Sequence, residues 1–227
     1  MPLMDEFQEE RDKIKTAPFK VKWKYFVDYY LKWVIGIGIT LAIIIAVVVT
    51  TLTHKDEMLY VSMPNFTQMP TVDKELLEPF IQQYLENPKK QDITVDSSCF
   101  ILGDTEALSD PDIAALYPYE DDQKVAMVLM VGQMDLMISG EDVIDRFTGS
   151  GYVKPLSDVY TEDELKAFDE QGLVKYLDEV PVALCMDDAK TLNKYYQYSG
   201  LKVDHIYAAY TYGKHTDLAK LFLEQLW

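Results

Sequence analysis

Trp33-Val34-Ile35-Gly36-Ile37-Gly38-Ile39-Thr40-Leu41-Ala42-Ile43-Ile44-Ile45-Ala46-Val47-Val48-Val49-Thr50-Thr51-Leu52-Thr53 carries no charged side chain. A helix rises about 1.5 Å per residue, so a run of this length matches the roughly 30 Å hydrocarbon core of a bilayer. A buried helix of a soluble domain usually keeps a polar stripe, and this run has none. It reads as a membrane-spanning helix and divides the chain into a leading segment 1–32, the span 33–53 and a domain 54–227. The run exceeds the apolar region of a cleaved secretory signal, about 7–15 residues. It leaves through Thr50-Thr51-Leu52-Thr53-His54-Lys55, with no small-residue cleavage pattern and no cysteine to take a lipid. A retained signal anchor is the expectation.

Orientation follows from the flanking charges. Lys20, Lys22, Lys24 and Lys32 precede the span with only Asp28 opposing, whereas Lys55 after it is met at once by Asp56 and Glu57. The N-terminus is therefore expected in the cytoplasm and residues 54–227 outside the cell membrane. Trp23, Tyr25, Phe26, Tyr29, Tyr30 and Trp33 gather at the same boundary, where amphipathic rings sit among lipid headgroups. Seven basic side chains against six acidic ones precede the span, +1 of a total −17, which leaves −18 on the rest. Such a surface repels nucleic acid and admits neutral or cationic partners.

The outer part is long enough to bury roughly 70% of its unfolded surface without staples. Cys99 and Cys185, the two cysteines, each sit in an apolar run. They can pair, or serve separately as small buried hydrophobes.

Alternating elements follow. Glu57–Ser62 reads as a strand closed by Met63-Pro64-Asn65-Phe66. A helix then carries Leu76, Leu77, Phe80, Ile81, Tyr84 and Leu85 on one face and stops at Asn87-Pro88, with Pro79 expected to kink it or delay its start. Ile93–Ile101 is the next strand. Ser109-Asp110-Pro111 starts a short helix and Asp121–Gln133 forms a longer one, before the apolar strand Met134–Ser139 and a helix opened by Gly140-Glu141-Asp142. Thr161-Glu162-Asp163-Glu164 is a capping box, and Gly172 ends its helix. Val180–Met186 is a strand, Asp187 caps a helix to about Tyr198, and Gly200 closes it. Val203–Tyr212 is a strand, and Thr216-Asp217 begins a final helix with Leu218, Leu221, Phe222 and Leu226 inward. Strands alternating with helices predict a mixed α/β layered fold.

Met127–Val143, a helix end, short strand and helix start, resembles the corresponding passage of type 2 periplasmic solute-binding proteins. Gly151-Tyr152-Val153-Lys154-Pro155-Leu156-Ser157-Asp158 is similar to that family's glycine, hydrophobe, Pro-Leu passage. Ile206–Tyr212, the small polar loop Gly213-Lys214-His215-Thr216 and Asp217–Gln225 are similar to its closing strand, loop and helix. The outer part is short for two lobes and is held by an uncleaved span, so the resemblance implies a reduced, membrane-anchored relative. It implies a ligand held where strands end and helices begin. The expected ligand-binding residues are Asn65 and Phe66, Ser139, Gly140 and Glu141, and Tyr210 and Tyr212 on the returning strand near the opening.

Tyr195, Tyr196, Tyr198, Tyr207, Tyr210 and Tyr212 enrich the last quarter in rings that either stack on a sugar or form a half-buried sheet face. Met127, Met130, Met134 and Met137 are expected to fill a core.

Little points to an enzyme. His54, His205 and His215 lie in no metal-ligand spacing, and Gly149-Ser150-Gly151 is a turn rather than a nucleophile elbow. Asp121 with Asp122 and Asp187 with Asp188 sit at expected helix starts, where the dipole favours acids. No catalysis, metal or cofactor is expected. Two functions remain open: a solute-binding-like domain holding a neutral or cationic small molecule such as a sugar or peptide in a concave pocket, or a non-catalytic module that docks a membrane or envelope protein. The second predicts a filled cleft and an exposed apolar patch.

Overall fold

The computed structural model describes residues 17–103, 117 and 119–227. The short helix expected at Ser109-Asp110-Pro111 lies outside the described residues. Contacts divide the chain between His54 and Lys55 into two compact units.

In the first unit, α1 (Phe19–Tyr25) passes through a π-helical turn (Phe26–Tyr30) into α2 (Leu31–Thr53). Phe19, Trp23, Phe26 and Tyr30 stack in succession along one face, ring centroids 5.8–6.4 Å apart. Residues Leu31–Thr51 have a mean hydropathy of 2.7, and none of the apolar window is buried within the chain. The Thr40 and Thr51 hydroxyls donate to the Gly36 and Val47 carbonyls at 2.9 Å. Their polar atoms are thus satisfied inside the helix, as hydrocarbon requires. This single apolar N-terminal helix is compatible with a membrane anchor or a secretion signal.

The second unit is a mixed α/β layer built on a six-stranded sheet. Its strands are β1 (Asp56–Ser62), β3 (Gln91–Asp96), β4 (Leu136–Gly140), β5 (Val174–Leu177), β6 (Val180–Cys185) and β8 (Ile206–Tyr210), in the order β3-β1-β4-β8-β6-β5. β1 runs parallel to both β3 and β4, while β8 is antiparallel to β4 and β6. A separate antiparallel pair joins β2 (Phe66–Gln68) to β7 (Tyr196–Tyr198). The helices are α3 (Glu78–Tyr84), α4 (Tyr119–Met130), α5 (Glu141–Gly149), α6 (Glu162–Glu170), α7 (Lys190–Tyr195) and α8 (Thr216–Leu226).

All five residues of β4 are buried, which is why its sequence is continuously apolar rather than alternating. Leu136 and Ile138 face a core of Leu59, Val61, Phe80 and Phe222, and Met137 faces a second core with Val143, Ile144 and Phe147. Phe80 meets Phe222 edge-on at 5.2 Å, a contact that contributes about 0.5–1.5 kcal/mol beyond its burial.

Several expectations hold in detail. Thr161 and Glu164 form the reciprocal capping box of α6. Pro79 stands in the first turn of α3, behind a π-helical turn Asp73–Leu77 in which the Glu78 amide reaches back to the Asp73 carbonyl. The ring, lacking an N–H, delays the α-helix as predicted.

Others need correction. The strand expected through Ile101 stops at Asp96, because the Asp96 carboxylate accepts from the Ser98 amide and hydroxyl at 3.0 and 2.6 Å and turns the chain. The strand expected from Val203 to Tyr212 is confined to Ile206–Tyr210. Asp187 does not cap a helix: its carboxylate accepts the Ile206 amide at 2.8 Å, and α7 starts two residues past Asp188 and gives way to β7 at Tyr196. β5 went unread because its hairpin turn is Asp178-Glu179, both at positive φ (50° and 67°), without the glycine or asparagine that marks such turns. The buried face of α8 is Ala219, Phe222, Leu223 and Leu226, with Leu218 and Leu221 only half-buried.

Candidate functional site

The carboxyl ends of β1 and β4 lie side by side, and there the structure gathers Asn65, Phe66, Ser139 and Gly140. Asn65, at φ 67°, is buried. Its amide donates to the Cys99 carbonyl at 2.9 Å, its Nδ2 to the Ile101 carbonyl at 2.7 Å, and its Oδ1 accepts the Ile101 amide at 2.8 Å. Its own carbonyl accepts from the Ser199 amide at 2.7 Å. Asparagine tolerates this backbone region and supplies a donor and an acceptor in one group. It clamps two loops together through its side chain and its backbone. Ser139 is likewise spent, donating its hydroxyl to the Pro64 carbonyl at 3.1 Å. Phe66 is covered edge-on by the Tyr198 ring at 5.3 Å.

Gly140 closes the crevice from the other side. A Cβ there would stand 2.6 Å from Tyr198 Oη, 2.8 Å from Val203 Cγ1 and 2.9 Å from Asp142 Oδ1. Asp142 Oδ1 is a buried atom with no hydrogen-bond partner among the described residues, while the Tyr198 hydroxyl interacts with the Asn65 side chain. Burial and the nearby Asp142 charge push the Tyr198 phenol up to about 12, so it stays protonated. Glu141 opens α5 and turns away, binding Lys175 at 2.6 Å; Lys175 also meets Asp145 at 3.1 Å and lies over the Tyr207 ring. Burial works to lower the Lys175 pKa, but the hydrogen bonds it donates to both carboxylates outweigh it and hold the ammonium charged.

Tyr210 and Tyr212 are not part of this crevice. β8 is antiparallel to β4, so Tyr210 pairs with Leu136 while Ile206 pairs with Gly140. The expected site is therefore split between opposite ends of the sheet. The Tyr210 hydroxyl is buried against that of Tyr160 at 2.6 Å. Tyr212 is 55% exposed, with the Lys154 ammonium 5.9 Å from its ring centre.

At that other end lies an open cleft of about 570 Å³, bordered by Met58, Tyr84, Glu86, His215, Asp217 and Leu221 among others. Asp135, buried in the otherwise apolar run before β4, organises its rim. It accepts the Tyr60 amide at 2.9 Å and the His215 amide at 2.7 Å. Gly213 packs so closely on Met134 and Asp135 that no side chain fits. A lone acid inside an apolar strand was the sequence signal for this loop anchor.

The methionines divide: Met134 and Met137 are buried, as expected, but Met127 (63%) and Met130 (69%) stand exposed beside Val131 (64%). Gly132, next in the chain, approaches the Tyr212 carbonyl. The two acids at the start of α4 do structural work, Asp121 accepting the Phe100 amide at 2.9 Å and Asp122 pairing with Arg146 at 2.7 Å. Ser150 donates to the Arg146 carbonyl at 2.9 Å in a helix-ending turn. Cys99 and Cys185 are both free thiols. Cys185 and Asp187, two residues apart, come within 4.8 Å of His205, which lies 18 residues beyond Asp187.

Compared with protein families, with curated proteins and with solved structures, the chain gives no match. Any reading of its function rests on the geometry.

Proposed function

We propose that the chain is a single-pass, membrane-anchored protein whose extracytoplasmic α/β domain is a reduced solute-binding-like lobe that has become a non-catalytic interaction module for a membrane or envelope protein. The observation that carries this reading is the closed crevice at the ends of β1 and β4, where the polar groups of Asn65 and Ser139 are used internally and Gly140 leaves no room. The exposed apolar side chains of Met127, Met130, Val131 and Tyr212 support it, since large apolar side chains left in solvent favour association. The succession of β8, polar loop and closing α8 supports the ancestry in solute-binding proteins. Lys20, Lys22, Lys24 and Lys32 before the span support a cytoplasmic N-terminus.

A second reading, small-solute binding, is favoured by one observation: Asp142 Oδ1, buried beside Gly140, has no hydrogen-bond partner among the described residues. A thermal-shift series on the full chain in detergent, against sugars, amino acids, peptides and polyamines, separates the two. Linkage requires a dose-dependent rise in melting temperature for any ligand present above its dissociation constant. A flat series, together with a photo-crosslinker at Met130 that joins one membrane protein while a crosslinker at exposed Lys166 joins none, is the expected result. A rise with any solute on the panel overturns the docking reading in favour of binding.

A further inference from the structure

Cys185 ends β6, Asp187 follows two residues on, and His205 immediately precedes β8. The two strands are antiparallel neighbours with Cys185 opposite Tyr207, so their pairing carries these three side chains to one corner of the sheet. The thiol sulfur, a carboxylate oxygen and an imidazole nitrogen all lie within 4.8 Å of one another. His205 Nδ1 is 2.6 Å from Asp187 Oδ2.

The framework is held from behind. Asp187 Oδ1 accepts the Ile206 amide at 2.8 Å, and the Asp187 carbonyl accepts Asn193 Nδ2 at 2.9 Å. The Cys185 amide donates to the Leu173 carbonyl and the Met186 amide to the Ile206 carbonyl, both at 2.8 Å. One carboxylate oxygen is thereby fixed and the other left facing the imidazole, the arrangement by which outer contacts orient metal ligands.

We propose that Cys185, Asp187 and His205 form a binding site for a borderline-soft divalent transition metal ion such as zinc, with solvent completing the coordination. One sulfur, one nitrogen and one oxygen donor suit such an ion, whereas calcium and magnesium call for oxygen alone. Bonds of about 2.0–2.3 Å to a tetrahedral ion set ligand atoms roughly 3.2–3.8 Å apart. Asp187 and His205 need only separate by about 1 Å or less to meet that spacing; both side chains are partly exposed. Binding takes the sulfur as thiolate, and its proton goes to solvent. Asp188, Asp204 and Glu141 act electrostatically on the cluster and add negative charge around a cation.

This site stands apart from the docking reading and is tested on its own. The full chain in detergent, freed of metal, is titrated with Co²⁺ and then with Zn²⁺. The expected result is a thiolate-to-cobalt charge-transfer band that saturates at one equivalent and is displaced by zinc. Cys99→Ser leaves the band in place and Cys185→Ser removes it. His205→Gln, on an exposed side chain that leaves the fold intact, weakens zinc binding at least about tenfold, since even outer-shell losses cost about 10–100-fold. Absence of the band in the unaltered chain, its survival in Cys185→Ser, or unchanged zinc affinity in His205→Gln each overturns the proposal and leaves the trio as an ion pair beside a thiol.

Discussion

The two ends of the central sheet are built from the same strands and have opposite character. At the carboxyl ends of β1 and β4, Asn65, Ser139 and Gly140 are locked against neighbouring backbone and the Tyr198 ring, so a chemically inviting set of residues encloses almost no space. At the amino ends, a cleft of about 570 Å³ opens between α3 and the start of α8, bordered by residues that no motif marked. A crevice at strand ends is where such sheets usually bind, but position makes a site only if its polar groups are left unsatisfied. Here the carboxyl end has been turned into a structural clamp.

Stability measurements can break this contrast. The largest expected effect is at Asn65. Asn65→Ala removes both side-chain bonds to Ile101, strands a buried amide and carbonyl, and puts alanine at φ 67°. A loss of about 3 kcal/mol or more is expected by denaturant unfolding. If the variant unfolds like the parent, the clamp does not exist and the residue is available to a ligand after all. Next comes Gly140→Ala, whose methyl would meet Tyr198, Val203 and Asp142 at 2.6–2.9 Å. Overpacking of this kind costs about 1–3 kcal/mol, and a neutral result in thermal melting would mean that the crevice is roomier than its packing indicates.

Much of this contrast was legible in the sequence, and the limits have physical causes. Periodicity and end signals placed β1, β4, the capping box of α6 and the final helix because each rests on local chemistry: Thr161 with Glu164, or an uninterrupted apolar run at Leu136–Ile138. Strand direction is not local. Nothing in Ile206–Tyr210 says that it runs against β4, so Tyr210 and Tyr212 were expected at the wrong end. Tertiary capture is equally silent. Asp187 looked like a helix cap but is held by an amide 19 residues away, and the approach of Cys185 to His205 exists only once β6 and β8 pair.

Asp96, at the same end of the sheet, gives the contrast a pH dependence. Burial works to raise its pKa, but hydrogen bonds from Lys124, Ser98 and Tyr60 prevail and hold it well below the ordinary carboxylate range. A carboxyl depressed in the folded state stabilises fully above its unfolded value, near 3.8, and loses that contribution as pH falls toward the folded value. Melting temperature should therefore drop on acidification below about pH 4. Asp96→Asn should cost roughly 1 kcal/mol at neutral pH, after screening of the partly exposed Lys124 pair, and flatten the acid limb. An unaltered acid limb would show that the Asp96 hydrogen bonds contribute nothing to stability.

The smallest effect is expected across the sheet. Glu86 is exposed at the rim of the open cleft, just past the carboxyl end of α3, where an acid faces the negative end of the helix dipole. Glu86→Ala removes that opposition without opening a cavity, so stability should stay within about 0.5 kcal/mol of the parent, on the favourable side if it moves. Read beside Asn65→Ala, this neutral change measures how much of the molecule's cohesion sits at one end of its sheet. A loss above about 1 kcal/mol would show that the cleft wall is held as firmly as the clamp, and the two ends would no longer differ in kind.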